Sequence, residues 1–149
     1  MRALLLAAAL PAMGGAAPGG PTSEARIDVR VTVTDLRSRE GEIRACMTPH
    51  ADRFPSCRND PAAYQLIVPA SQAASLKFTG VRPGTYAIAL LHDENGNGKA
   101  DRALGMVPRE GFGFSHDAPV KMGPPTFDDA AFAVRDAPVR QTIRMRYML

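Results

Sequence analysis

Ile27-Asp28-Val29-Arg30-Val31-Thr32-Val33-Thr34 alternates aliphatic and polar side chains without a break. An extended chain turns successive side chains to opposite faces, so this stretch reads as a strand with one face buried and one in water. The same period returns near the other end of the chain. In residues 139–148, Val139, Gln141, Ile143, Met145 and Tyr147 share one face, while Arg140, Thr142, Arg144 and Arg146 take the other. Between these two, short strands are expected at Glu42 to Thr48, Tyr64 to Val68, Leu76 to Thr79, Thr85 to His92 and Ala131 to Val134. Seven strands in all, parted by turn signals and with no sustained helical period, predict an all-β fold built as a single antiparallel β-sandwich. One helical turn is expected within Pro69 to Ser75, where Ala-Ser-Gln-Ala-Ala breaks the strand pattern.

The start of the chain is of a different kind. Arg2, the apolar run Ala3 to Leu10 and the small residues Gly14-Gly15-Ala16-Ala17 read as a secretory signal peptide over residues 1–17. Residues 18–25 follow as a disordered leader, and residues 26–149 are expected to form one β-sandwich domain with a long loop at 93–130. The apolar run is too short to span a bilayer and no later segment reaches the required length, so no membrane span is expected and the predicted location is periplasmic or secreted. Removing the leader leaves about 130 residues, enough for one hydrophobic core. The formal charge is +3 and the pI about 9.2. The basic residues are scattered singly, which together with export argues against nucleic acid as a partner. In an exported chain an isolated cysteine pair, Cys46 and Cys57, is most simply a disulfide. There is no Cys-x-x-Cys redox motif, and zinc binding through His50 lacks two further ligands nearby.

His92-Asp93-Glu94-Asn95-Gly96-Asn97-Gly98-Lys99-Ala100-Asp101 sets oxygen-bearing side chains at 93, 95 and 97, then a glycine, then Asp101. Such spacing suits a hard cation, since a tight loop aims alternate side chains inward, glycine takes the bend and a later carboxylate closes the shell. The expectation is one Ca²⁺ held by the side chains of Asp93, Asn95, Asn97 and Asp101 and by the carbonyl of Lys99. It is not an EF-hand, because Leu104 stands where the bidentate glutamate is required and a strand, not a helix, precedes the loop. Further ligands are sought among Glu94, Glu110, Asp117 and backbone carbonyls. The competing reading is that Asn95-Gly96 and Asn97-Gly98 simply build consecutive turns. Residues 93–117 hold five acidic side chains against Lys99, Arg102 and Arg109, a locally negative patch on a basic protein.

Nearly forty residues with little strand or helix pattern are too long for an idle connection, so function is expected there. They include Gly111-Phe112-Gly113-Phe114-Ser115-His116 and Pro125-Thr126-Phe127-Asp128-Asp129-Ala130. Glycines beside Phe112 and Phe114 allow close backbone approach. The phenylalanines read either as a satellite core pinning the loop or, with Ser115 and His116, as a ligand-facing surface.

Together with Pro83-Gly84-Thr85-Tyr86, these motifs in this order make the chain resemble the bacterial exported family known as domain of unknown function 2141, from about Ile27 to Tyr147. The resemblance implies a secreted β-sandwich and supplies no activity or catalytic residue. Pro-Gly-Thr-Tyr ahead of an apolar strand is also similar to transthyretin-like and carboxypeptidase-regulatory modules, which implies a prealbumin-type sandwich by analogy. The chain departs from the family pattern at His116, where an asparagine is expected.

No catalytic residue is assigned. Ser115, His116 and Asp117 are consecutive, and neighbouring side chains on an extended chain diverge, so they make no triad by themselves. The alternative is a metal-dependent or hydrolytic enzyme using His92, His116 and the loop carboxylates. The leading expectation is a non-catalytic exported module whose calcium-ordered loop serves binding or structural interaction with another envelope or extracellular molecule, a structural role through an exposed sheet edge being equally compatible. Carbohydrate is one candidate partner, carried by Phe or Tyr because the chain has no Trp.

Overall fold

The alternation at the start of the chain becomes strand β1 (Ile27–Thr34), with Ile27, Val29, Val31 and Val33 buried. In this computed structural model residues 23–104 and 106–149 are described, and the expected signal peptide and leader residues 18–22 lie outside them. The strands that follow are β2 (Glu42–Thr48), β3 (Tyr64–Pro69), β4 (Ser75–Val81), β5 (Gly84–Asp93), β6 (Arg102–Ala103), β7 (Val107–Pro108), β8 (Gly111–Phe114), β9 (Phe132–Val134) and β10 (Val139–Arg144). Among the described residues helix is confined to 3₁₀ turns at Ala70–Gln72 and Ser115–Asp117 and one α-turn, α1 (Phe127–Ala130). The protein is therefore all-β, and the single turn expected within Pro69 to Ser75 is present.

Two features correct the seven-stranded antiparallel expectation. The segment 93–130 contributes three further strands, β6, β7 and β8, too short or too glycine-rich to carry an alternating signal. The second correction is that β1 and β10 run parallel, from Val29 beside Val139 to Thr34 beside Arg144. Alternation reports which face of a strand is buried and is blind to the direction of its neighbour.

One sheet has the order β10-β1-β4 and a second β3-β2-β5-β8, with β9 paired to the start of β5. Their apolar faces share one core, in which Val31, Phe78 and Ile143 of the first sheet join Ile43, Met47 and Ile88 of the second. Strand β5 is buried on both sides, which explains its unbroken apolar run. Tyr86, Ile88 and Leu90 face the shared core, and Ala87 and Ala89 face a second cluster with Phe114, Ala118 and Ala130.

The Cys46–Cys57 disulfide is present, its Cα atoms 5.9 Å apart, and it ties the excursion after β2 back to that strand. Asp60 fastens the same excursion. Its buried carboxylate accepts from the Thr48 hydroxyl, from the Ala62 amide at 2.9 Å, and bonds His50 Nδ1 at 2.9 Å. Burial by itself would raise the Asp60 pKa, but these hydrogen bonds outweigh it and hold the carboxyl below its ordinary value. A folded-state pKa below the unfolded one means stability that is fully present above the unfolded value, about 3.9, and lost as pH falls through the folded value. Asp60→Asn should accordingly lower stability at neutral pH and flatten its decline below about pH 4. Urea melts of both proteins between neutral pH and acid would check this; parallel acid limbs would refute it.

Candidate functional site

The loop after β5 is organised around Asp93, whose side chain is fully buried. Its Oδ1 accepts the Asn97 amide at 3.1 Å and its Oδ2 accepts the Gly98 amide at 2.7 Å, so one carboxylate gathers the following turn. Asn95 Oδ1 accepts the Asn97 amide at 3.1 Å, and Asn97 Oδ1 accepts the Lys99 amide at 2.8 Å. Both asparagine amide groups donate to Asp101 Oδ2, at 2.7 and 2.8 Å. Gly96 and Gly98 lie in the left-handed region, at φ +65° and +74°. Asp93, Asn95, Asn97 and Asp101 are thus brought into one hydrogen-bonded loop, with the Lys99 backbone in the same turn.

Of the carboxylates sought as extra ligands, the fold diverts two. Glu94 turns away to Arg37, whose Nε donates at 3.2 Å, and to Ser38 Oγ at 2.8 Å. The Arg37 hydrogen bond holds the Glu94 carboxyl below its ordinary pKa. Asp117 pairs with Arg144 at 3.3 Å and Arg146 at 2.9 Å. Glu110 is different. It arrives from between β7 and β8 with 5% of its surface exposed, and its Oε2 accepts the Asp101 amide at 3.1 Å. Its Oε1 is buried with no hydrogen-bond partner. Burial raises the Glu110 pKa, and the negative charges of Asp93 and Asp101, with a hydrogen bond to the Asp93 carboxylate that Glu110 makes only when protonated, push it the same way against the pull of the Asp101 amide. Among the described residues no three His, Cys, Asp or Glu side chains stand close enough to share a metal ion as they lie.

The other sequence-predicted residues scatter. His92 is buried, its Nε2 donating to the Glu40 carbonyl at 2.9 Å and its Nδ1 bonded to the Tyr147 hydroxyl at 2.7 Å, so both ring nitrogens are engaged in packing the sheet end. Ser115 is turned inward, where Oγ accepts the Ile88 amide at 2.9 Å and donates to the Ala130 carbonyl. Phe114 lies in the second apolar cluster, its ring 5.8 Å from Phe54 and 6.1 Å from Phe112, which is half-buried. His116 is exposed, with its backbone amide donating to Gln141 at 3.1 Å. Its φ of +58° explains the asparagine expected there, since the left-handed region favours Asn, Asp and His among residues with a Cβ. That position answers to backbone geometry.

Two motifs have structural explanations that the sequence carried in part. A Cβ on Gly111 would lie 2.2 Å from the Tyr147 ring, and one on Gly113 would lie 2.6 Å from Ile143 Cγ2, so β8 needs glycine where the end of the chain crosses it. Pro125-Thr126-Phe127-Asp128-Asp129-Ala130 is a helix start: Thr126 Oγ1 accepts the Asp129 amide while the Asp129 carboxylate accepts the Thr126 amide. The expectation of helix only within Pro69 to Ser75 missed this turn; Thr-x-x-Asp was the signal that could have found it. α1 then sets Ala130 against β5, where its carbonyl receives Ser115.

The class defined by these observations is an all-β protein with an oxygen-rich, carboxylate-lined loop at the end of a central strand. A family model matches residues 31–142, and the chain belongs to the family described as uncharacterized protein conserved in bacteria (DUF2141). Comparison with curated proteins and with solved structures gives no match. No helix among the described residues is long and apolar enough to cross a membrane.

Proposed function

We propose that the protein is an exported, non-catalytic module, a prealbumin-type β-sandwich over residues 26–149, in which one Ca²⁺ orders the segment 93–130 for contact with another envelope or extracellular molecule. The observation that carries the calcium reading is the buried, unpartnered Oε1 of Glu110 beside the loop of Asp93 and Asp101. Carboxylates crowd together out of water at a cost that a divalent cation among them removes. Asp93, Asn95, Asn97, the Lys99 carbonyl, Asp101 and Glu110 offer six oxygens, the lower end of calcium's usual shell. Each asparagine oxygen keeps a lone pair after accepting its backbone N–H. Asp101 leaves the amide nitrogens for the ion. Glu110 supplies from beyond the loop the carboxylate that Leu104 cannot. The enzyme alternative is disfavoured because both nitrogens of His92 are already engaged.

Affinity should be modest, with a dissociation constant on the order of 10⁻⁴ to 10⁻³ M as in extracellular modules. Calcium about a hundredfold above that constant should add about 2.7 kcal/mol of stability. Glu110→Gln should have two opposite effects: in chelator it melts above the parent, because a crowded charge is gone, and with calcium it gains little or nothing. Thermal melts of both proteins, with hydrogen exchange across residues 93–127, decide it. A parent whose melting and exchange ignore calcium would leave the loop as a pair of turns.

A further inference from the structure

We infer that the outer face of the second sheet is a binding cleft for a single-chain amphiphile with an apolar body and a carboxylate head. The cleft holds about 950 Å³ between that face, the disulfide-tied excursion, residues 98–102 and 106–108, and residues 120–124. Pockets for small ligands run from about 300 to 1,000 Å³, so the space is at the generous end for one molecule. Its floor is one row across four strands, Ile67 on β3, Arg44 on β2, Leu91 on β5 and Phe112 on β8, three apolar side chains with one arginine among them. Met106 and Met122 also line it, 78% and 103% exposed, and Ile67 is 56% exposed. Large apolar side chains left in water around one concavity mark a contact site, and methionines adapt their shape to a flexible apolar partner.

Charge sets the head group. Arg44, Arg58, Lys99, Arg102 and Lys121 line the cleft against two carboxylates, Asp101 and Glu110. Arg44 is held by Glu42 and lies 4.0 Å from Asp93. The other four cations make no ion pair among the described residues. Unpaired cations around an apolar floor complement an anion at the end of an aliphatic chain, whereas a cationic head would be repelled. Residues 98–102, 106–108 and 120–124 belong to the segment assigned above to calcium ordering, so the walls of the cleft rest on that reading while its floor on the sheet does not.

The test uses the full mature chain in EDTA and again with calcium, at decanoate concentrations that leave its calcium salt dissolved; melting and exchange across residues 93–127 report the calcium site separately, and absence of decanoate binding in both conditions is failure of the cleft alone. Calorimetric titration with decanoate and with decyltrimethylammonium, both below their critical micelle concentrations, compares heads of opposite charge on the same chain. Decanoate should bind with at least about tenfold higher affinity, a difference within reach of a few nearby charges. Ile67→Glu should abolish binding, and the double variant Lys99→Glu, Lys121→Glu should cancel or reverse the charge preference. These three positions are exposed, and an unchanged melting temperature confirms that each variant folds. Equal affinity for the two heads, no binding of decanoate in either condition, or unimpaired binding by folded Ile67→Glu would overturn the proposal. So would sedimentation with phosphatidylglycerol vesicles in the absence of decanoate binding, which would make the face a membrane contact.

Discussion

Gly41→Ala is expected to destabilise the protein by about 4 kcal/mol, the sum of left-handed strain at a residue with a Cβ and a clash that cannot relax cheaply. Gly41 has φ +65°, and an added Cβ would lie 2.0 Å from the Asp93 carbonyl oxygen and 2.6 Å from Glu94 Cα. Both neighbours are backbone, so neither can swing aside as a side chain would. The substitution must push the β1–β2 connection away from the end of β5, where the Asp93 loop begins. For a chain of this size the melting temperature should fall by more than about 10 °C. Gly96→Ala is the matched control, because Gly96 has the same φ of +65° and nothing within 4 Å of the added carbon. It should cost only about 1 kcal/mol. Denaturant melts of the two variants isolate the clash, and equal losses would show that Gly41 does not approach β5 closely.

Removing the disulfide should be nearly as costly. The double variant Cys46→Ala, Cys57→Ala releases a loop with a sequence separation of 11, for which chain entropy predicts a loss of about 3 kcal/mol. Cys57 is also buried, so some packing is lost with it. Reducing agent should lower the parent's melting temperature towards that of the double variant and leave the variant unchanged. The local consequence is sharper than the global one: amides of residues 49–63 should lose exchange protection ahead of those in β1, β4 and β10, which the bridge does not touch. A double variant as stable as the parent would mean that Asp60 and its hydrogen bonds hold the excursion unaided.

All seven strands expected from alternation and apolar runs are present, because burial of one face imposes a period of two that any chain segment displays by itself. The same holds for the Asn-Gly turns, whose chemistry is contained within a few neighbouring residues. The oxygen spacing around Asp93 was legible for that reason too. The helical turn that Thr126 and Asp129 cap was not expected, being a single turn too short to show a period. What depended on tertiary structure was every relation between segments distant in sequence. Alternation could not give the direction of β10 beside β1, nor show that the 93–130 segment pairs as β6 to β8. Three carboxylates near one another in sequence looked equivalent as extra ligands. The fold gives Glu94 to Arg37 and Asp117 to Arg144 and Arg146, and leaves only Glu110 buried beside Asp93 and Asp101. His92 reads as a ligand in a string of acids, yet its partners Glu40 and Tyr147 come from 52 and 55 residues away. The cleft was equally invisible, since Ile67, Met106 and Met122 have no common period and come to line one concavity only in the folded chain. Local pattern records what each residue needs from water; only the folded chain decides which distant residue supplies the rest.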